Sequence, residues 1–163
     1  INIIKGLPYN PLIDKFKNKN ISKKYEIISV SRNSEQKVTK DLEEFVEQRL
    51  NINIVRKDIK TWSEYYSFLS ESKILLITAK EETYGYAAME AFLMGCIPVV
   101  PNNFSYQEIY PLTFRYNDRS DLISTIGDLL DKWIDPRYDE RVMEYAPTIE
   151  LWVETLAKEM LNG

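Results

Sequence analysis

The chain has 163 residues, 44% hydrophobic and 28% charged, with a formal net charge of −4. That length supports one domain with its own core, and the acidic balance argues against nucleic-acid binding driven by phosphate neutralisation. Histidine is absent, which excludes a Ser-His-Asp triad, a Cys-His pair and histidine metal ligands within this chain, so a general base would be Asp, Glu, Lys or Tyr, or come from another domain.

Strand-like and helix-like patterns alternate along the chain. Ile1 to Ile4 reads as a short strand with a turn at Gly6-Leu7-Pro8, and this abrupt start points to a fragment of something longer. Leu12 to Phe16 reads as a short helix. The basic clusters Lys15-Phe16-Lys17-Asn18-Lys19 and Lys23-Lys24 read as a solvated helix end and a turn. Tyr25 to Ser31 reads as a strand. Val38 to Leu50 reads as a helix with Val38, Leu42, Phe45, Val46 and Leu50 near one face. Ile52 to Val55 is a brief strand, and Trp62 to Leu69 a helix with Thr61 or Ser63 as N-cap.

The central unit follows. Lys73 to Thr78 reads as a strand, a helix is expected from near Tyr84, and Ile97-Pro98-Val99-Val100 reads as the next strand after Gly95. Cys96, unable to pair internally, fits a small core residue. Gln107 to Tyr110 reads as a single turn ended by Pro111, and Thr113 to Tyr116 as the last strand. Asp121 to Trp133 reads as an amphipathic helix with Leu122, Ile123, Ile126, Leu129 and Leu130 inward, broken by Pro136. Tyr138 to Tyr145 and Thr148 to Leu161 read as terminal helices. The tryptophans and tyrosines read as core and helix-packing residues, or as cover for a partner domain. Connections of these lengths favour one α/β domain over 1–163, a parallel sheet with helices on both faces.

Across residues 82–100 only Glu82 and Glu90 are charged amid apolar and small residues. Glu82 falls in the loop at the carboxyl end of a strand, where open parallel sheets bind ligands. The helix that follows offers unpaired amides and partial positive charge at its first turn, suited to a phosphate, and Gly85 has no side chain to block a close approach. Two acids flanking an anion site suit a molecule with hydroxyls at both ends, as in a nucleotide-sugar. Each residue also has a plain structural reading: Glu82 as an acid favoured near a helix start with Thr83 as N-cap, Glu90 as the partner of a structural Arg or Lys, and Gly85 and Tyr84 as packing residues.

Glu82 and Glu90 have the E-x7-E spacing of retaining GT-B glycosyltransferases of the family 4 type, and the surrounding residues resemble that family. Glu82-Thr83-Tyr84-Gly85 stands where the family has Glu-Gly-Phe-Gly, Met89 to Gly95 where it has a Leu-Glu-Ala-Met-Ala-x-Gly run, and Ile97 to Val100 where it has a Pro-Val-Val strand. Glu108 matches the acid of its Pro-Glu-Val/Ile segment. Thr83 in place of glycine narrows the loop. The resemblance implies the C-terminal half of a GT-B fold: a Rossmann-like donor-binding domain of an enzyme that transfers a sugar from a UDP- or GDP-sugar with retention. It implies Glu82 on the donor sugar as the catalytic residue, Glu90 on the nucleotide ribose, and Thr83, Tyr84 and Gly85 in the donor site. It also implies no metal and no cofactor. The family's Arg-x4-Lys pair, which neutralises the donor diphosphate, has two placements here. Arg32 and Lys37 have the internal spacing but lie close in sequence to Glu82. Lys5 lies at a better distance, with the arginine then preceding Ile1, and is the favoured placement. An N-terminal acceptor domain, absent from this chain, would be the partner.

A non-catalytic nucleotide-sugar-binding subunit and a nucleotide-sugar epimerase on the same fold are the alternatives. No apolar run spans a bilayer and no signal peptide is visible. The expected location is therefore the cytoplasm, with any membrane association peripheral and through the missing part.

Overall fold

A computed structural model describes residues 15–16, 20–30, 40–78, 85–103 and 106–140. Their elements alternate as the sequence pattern requires. Strand β1 (Tyr25–Ile28) leads to helix α1 (Lys40–Leu50), β2 (Ile54–Val55), α2 (Trp62–Ser70) and β3 (Ser72–Leu76). Then follow α3 (Tyr86–Leu93), β4 (Ile97–Pro101), the short α4 (Tyr106–Ile109), a 3-10 turn (Leu112–Phe114), β5 (Arg115–Tyr116) and α5 (Arg119–Asp131).

The five strands form one sheet in the order β2-β1-β3-β4-β5, and every pairing is parallel. This is a Rossmann-like α/β arrangement. Strands of a doubly covered parallel sheet are apolar on both faces, and every residue of β4 is buried. Ile27, Ile74 and Ile97 lie in register across β1, β3 and β4 and share a core with Val46 of α1 and Leu122, Ile126 and Leu129 of α5. Their neighbours Ile28 and Leu75 belong to a second core with Tyr66, Phe68 and Leu69 of α2 and Ala91 and Met94 of α3. Helix α3 also sends Ala88, Met89 and Phe92 into the first core.

Local signals set the helix ends. Thr61 caps α2, its side chain accepting from the Glu64 amide while the Glu64 carboxylate accepts from the Thr61 amide. Asp118 caps α5 in the same way through the Asp121 amide. Glu43 of α1 is buried and pairs with Arg56, an ion pair that nothing in the local pattern announces.

Pro98 occupies a central strand, where a residue without an N–H is unusual. The Val99 carbonyl accepts from Ile77 of the β3 side. Bonding direction alternates along a parallel strand, so Pro98 faces the β5 side, and there pairing begins only at Val100 opposite Arg115. No ladder bond is lost.

Three expectations are corrected. Residues 112–114 form a 3-10 turn, so β5 holds only Arg115 and Tyr116; Pro111, at the N-cap, directs the chain into that turn. Residues 138–140 are turn rather than the start of a helix. Helix α3 begins at Tyr86, with Gly85 as its N-cap rather than in its first turn. The readings at 1–14, the terminal helix at 148–161 and the remainder of 138–145 lie outside the described residues. No helix among the described residues is long and apolar enough to cross a membrane.

Candidate functional site

The strand order reverses between β1 and β3: β1 leads to β2 on one side, and β3 to β4 on the other. In open α/β sheets the crevice at the carboxyl ends of two such strands is where ligands bind. The Tyr116 hydroxyl donates to the Ile77 carbonyl at 2.8 Å, which ties β5 across β4 to the end of β3.

Helix α3 opens at this edge. Gly85 adopts a left-handed conformation (φ 62°, ψ 41°) and supplies no side-chain cap, while its carbonyl accepts from the Ala88 and Met89 amides at 3.0 and 3.2 Å. Left-handed geometry explains the glycine. So does the neighbour on its open side, because a Cβ at Gly85 would collide with the fully buried Tyr106 ring. The space the sequence reading left for a ligand at Gly85 is thus filled, on that side, by an aromatic ring. Along the helix axis lies the amino end of α3, which carries partial positive charge.

Glu90 lies a little over one turn into α3 and is 5% exposed. Its Oε2 accepts from the Tyr65 hydroxyl at 2.8 Å and its Oε1 from the Tyr66 hydroxyl at 2.9 Å. Both tyrosines come from α2, whose amino end faces the same edge of the sheet. Burial pushes the carboxyl up to about 7, and the two hydroxyl bonds act in the opposite direction. Burial, and then the charge of Glu90, push the Tyr65 phenol well above its usual range, so it remains a donor. Among the described residues no lysine or arginine pairs with Glu90.

The tyrosines differ in burial. Tyr66 is fully buried, stacked against Trp62 at 6.0 Å and packed near Phe16. Tyr65 is half-buried, with Trp62 and Tyr66 meeting it edge-on at 5.7 and 5.3 Å. The Trp62 indole, 46% exposed, packs against both rings.

Of the residues singled out in the sequence, Gly85 and Glu90 fall on one helix beside the crevice. Glu82, Thr83 and Tyr84 lie outside the described residues, as do Lys5, Arg32 and Lys37. Glu108 is exposed on α4. Cys96 is buried, and burial pushes its thiol up to about 12, as fits a core residue. Sequence reasoning missed Tyr65 and Tyr66. Adjacent tyrosines near a helix start, in a chain with a buried acid elsewhere, were the available signal.

No family model matches the chain. It is similar to the tRNA-queuosine alpha-mannosyltransferase of Drosophila melanogaster, with 31% identity over 90 residues, a stretch that covers 55% of this chain and 24% of the relative. The chain therefore spans a minor part of that protein's length. The likeness supports a relationship to glycosyltransferases.

Proposed function

We propose that this chain is the nucleotide-sugar-binding part of a glycosyltransferase of the GT-B type that transfers a sugar with retention of configuration. The observation that carries the reading is Glu90. A buried carboxylate whose partners are neutral hydroxyls, on a helix that opens at the switch point of a parallel sheet, has the chemistry of a hydroxyl receptor. The hydroxyls of a ribose fit it. The likeness to a mannosyltransferase over 90 residues supports the same class.

In this reading the donor diphosphate lies against the first-turn amides of α3. Glu82 contacts the donor sugar, with Thr83, Tyr84 and Gly85 framing the phosphates. Lys5, or Arg32 with Lys37, adds positive charge where the leaving diphosphate develops its own. No metal is required for that step. The acceptor belongs to an amino-terminal domain, and the net charge of −4 gives this part no electrostatic footing on a nucleic acid.

Calorimetry with UDP and GDP, then with a mannose-bearing donor, tests the reading. Weak binding is expected, and Glu90→Ala should weaken it roughly tenfold, the effect of losing a hydrogen bond to a charged group. Unchanged nucleotide affinity in that variant would remove the ribose role. Sugar release by the full-length protein separates an enzyme from a non-catalytic subunit.

A further inference from the structure

The two hydroxyl bonds on Glu90 are chemically alike and mechanically different. Tyr66 is fully buried under Trp62 and has no route out. Tyr65 is half-buried, and among the described residues its ring meets the Trp62 and Tyr66 rings in T-shaped contacts. Part of Tyr65 reaches solvent while its hydroxyl is buried beside Glu90, and a rotation about its side-chain bonds is the move that would take that hydroxyl to water.

We propose that Tyr65 is an exchangeable positioning residue: its hydroxyl holds Oε2 of Glu90 in the unliganded protein and gives that oxygen up to a ribose hydroxyl of the nucleotide, while Tyr66 keeps Oε1 fixed. The proposal rests on the reading of Glu90 as a ribose receptor. The exchange conserves hydrogen bonds. Glu90 accepts two hydroxyls before binding and two after, and the displaced phenol bonds to water. It also avoids the penalty of holding a buried acceptor unsatisfied in the empty site.

A second consequence is proton balance. Among the described residues the titratable groups around Glu90 are Tyr65 and Tyr66 of α2, with the Cys96 thiol just before β4 acting on Tyr65. Hydroxyl bonds favour the ionised carboxylate. One hydroxyl replacing another leaves the carboxyl's affinity for a proton unchanged. Without the Tyr65 hydroxyl, the empty site holds its proton more tightly, and an arriving ribose hydroxyl expels it.

The test is calorimetric titration of wild type, Tyr65→Phe and Tyr66→Phe with UDP and GDP near pH 7, in buffers of differing ionisation enthalpy. Tyr65→Phe should bind roughly threefold to tenfold tighter than wild type, the equivalent of one net hydrogen bond, and release more protons on binding. Tyr66→Phe should bind more weakly than wild type. Wild-type binding with Tyr65→Phe equal or weaker, and no additional proton release, overturns the exchange and leaves the functional reading standing. If wild type binds neither nucleotide, the functional reading and the exchange fall together.

Discussion

The two edges of the sheet each hold an ionisable side chain, buried for Glu90 and part-buried for Lys23, hydrogen-bonded to neutral groups. At the carboxyl edge Glu90 accepts from two tyrosine hydroxyls. At the amino edge the Lys23 ammonium donates to the carbonyls of Ser70 and Gly95 at 2.8 and 2.7 Å and lies 5.3 Å from the Trp133 ring. Those carbonyls precede β3 and β4, and Trp133 in turn donates to the Lys73 carbonyl at 3.1 Å. Backbone carbonyls cannot rotate away, so the lysine is a fixed clamp on two strands. A phenol hydroxyl can rotate, and any other hydroxyl can replace it. Neutral partners therefore make a fastener at one edge and a receptor at the other, and whether the partner can be exchanged makes the difference.

Each edge also turns on a left-handed glycine, and substituting these tests the contrast most severely. Gly85→Ala must accept a strained backbone and a collision with the fully buried Tyr106 ring, which should cost about 4 kcal/mol in denaturant unfolding. Gly95→Ala has the same strain at φ 75°, but its Cβ meets the ends of the Arg137 and Asp135 side chains, which can move aside. About 1.5 kcal/mol is expected there. Equal losses would show that the amino edge is as rigidly packed as the carboxyl one.

Acidity separates the edges next. The folded-state value of Glu90 is raised from 4.5 to about 7, so the folded protein binds the extra proton and stability declines as pH rises through that window. The decline should reach about 3 kcal/mol above pH 7 and be absent from the stability–pH profile of Glu90→Gln. Burial lowers the value of Lys23, so its contribution has the opposite slope, with stability rising as pH climbs from the folded value toward 10.5. The smallest effect expected is that of Lys23→Met, which leaves two part-buried carbonyls to water and should cost about 1 kcal/mol while leaving nucleotide affinity unchanged.

The strands and longer helices were legible because their signals are local. Apolar runs mark β3 and β4, and the inward positions read for α5 are the ones found buried or packed on the core. The capping box at Thr61 and Glu64 could be placed to within two residues. Glu90 was legible as an acid needing partners. The identity of those partners was not, because Tyr65 and Tyr66 lie 25 and 24 residues away and nothing in the pattern of α2 distinguishes a packing tyrosine from a donor. The ring beside Gly85 was hidden for the same reason, since Tyr106 arrives from beyond β4. Lys23 read as part of a solvated turn, and only the meeting of Ser70 and Gly95 at one edge turns it inward.

Pro98 has a consequence for how the sheet is closed. The first half of β4 has no strand beside it on the side where the proline faces, yet every residue of β4 is buried, and the turn at Leu112–Phe114 packs against that strand. The imide nitrogen has no hydrogen that needs a partner. The proline thus lets an irregular segment, rather than a longer strand, seal the sheet there without stranding a donor.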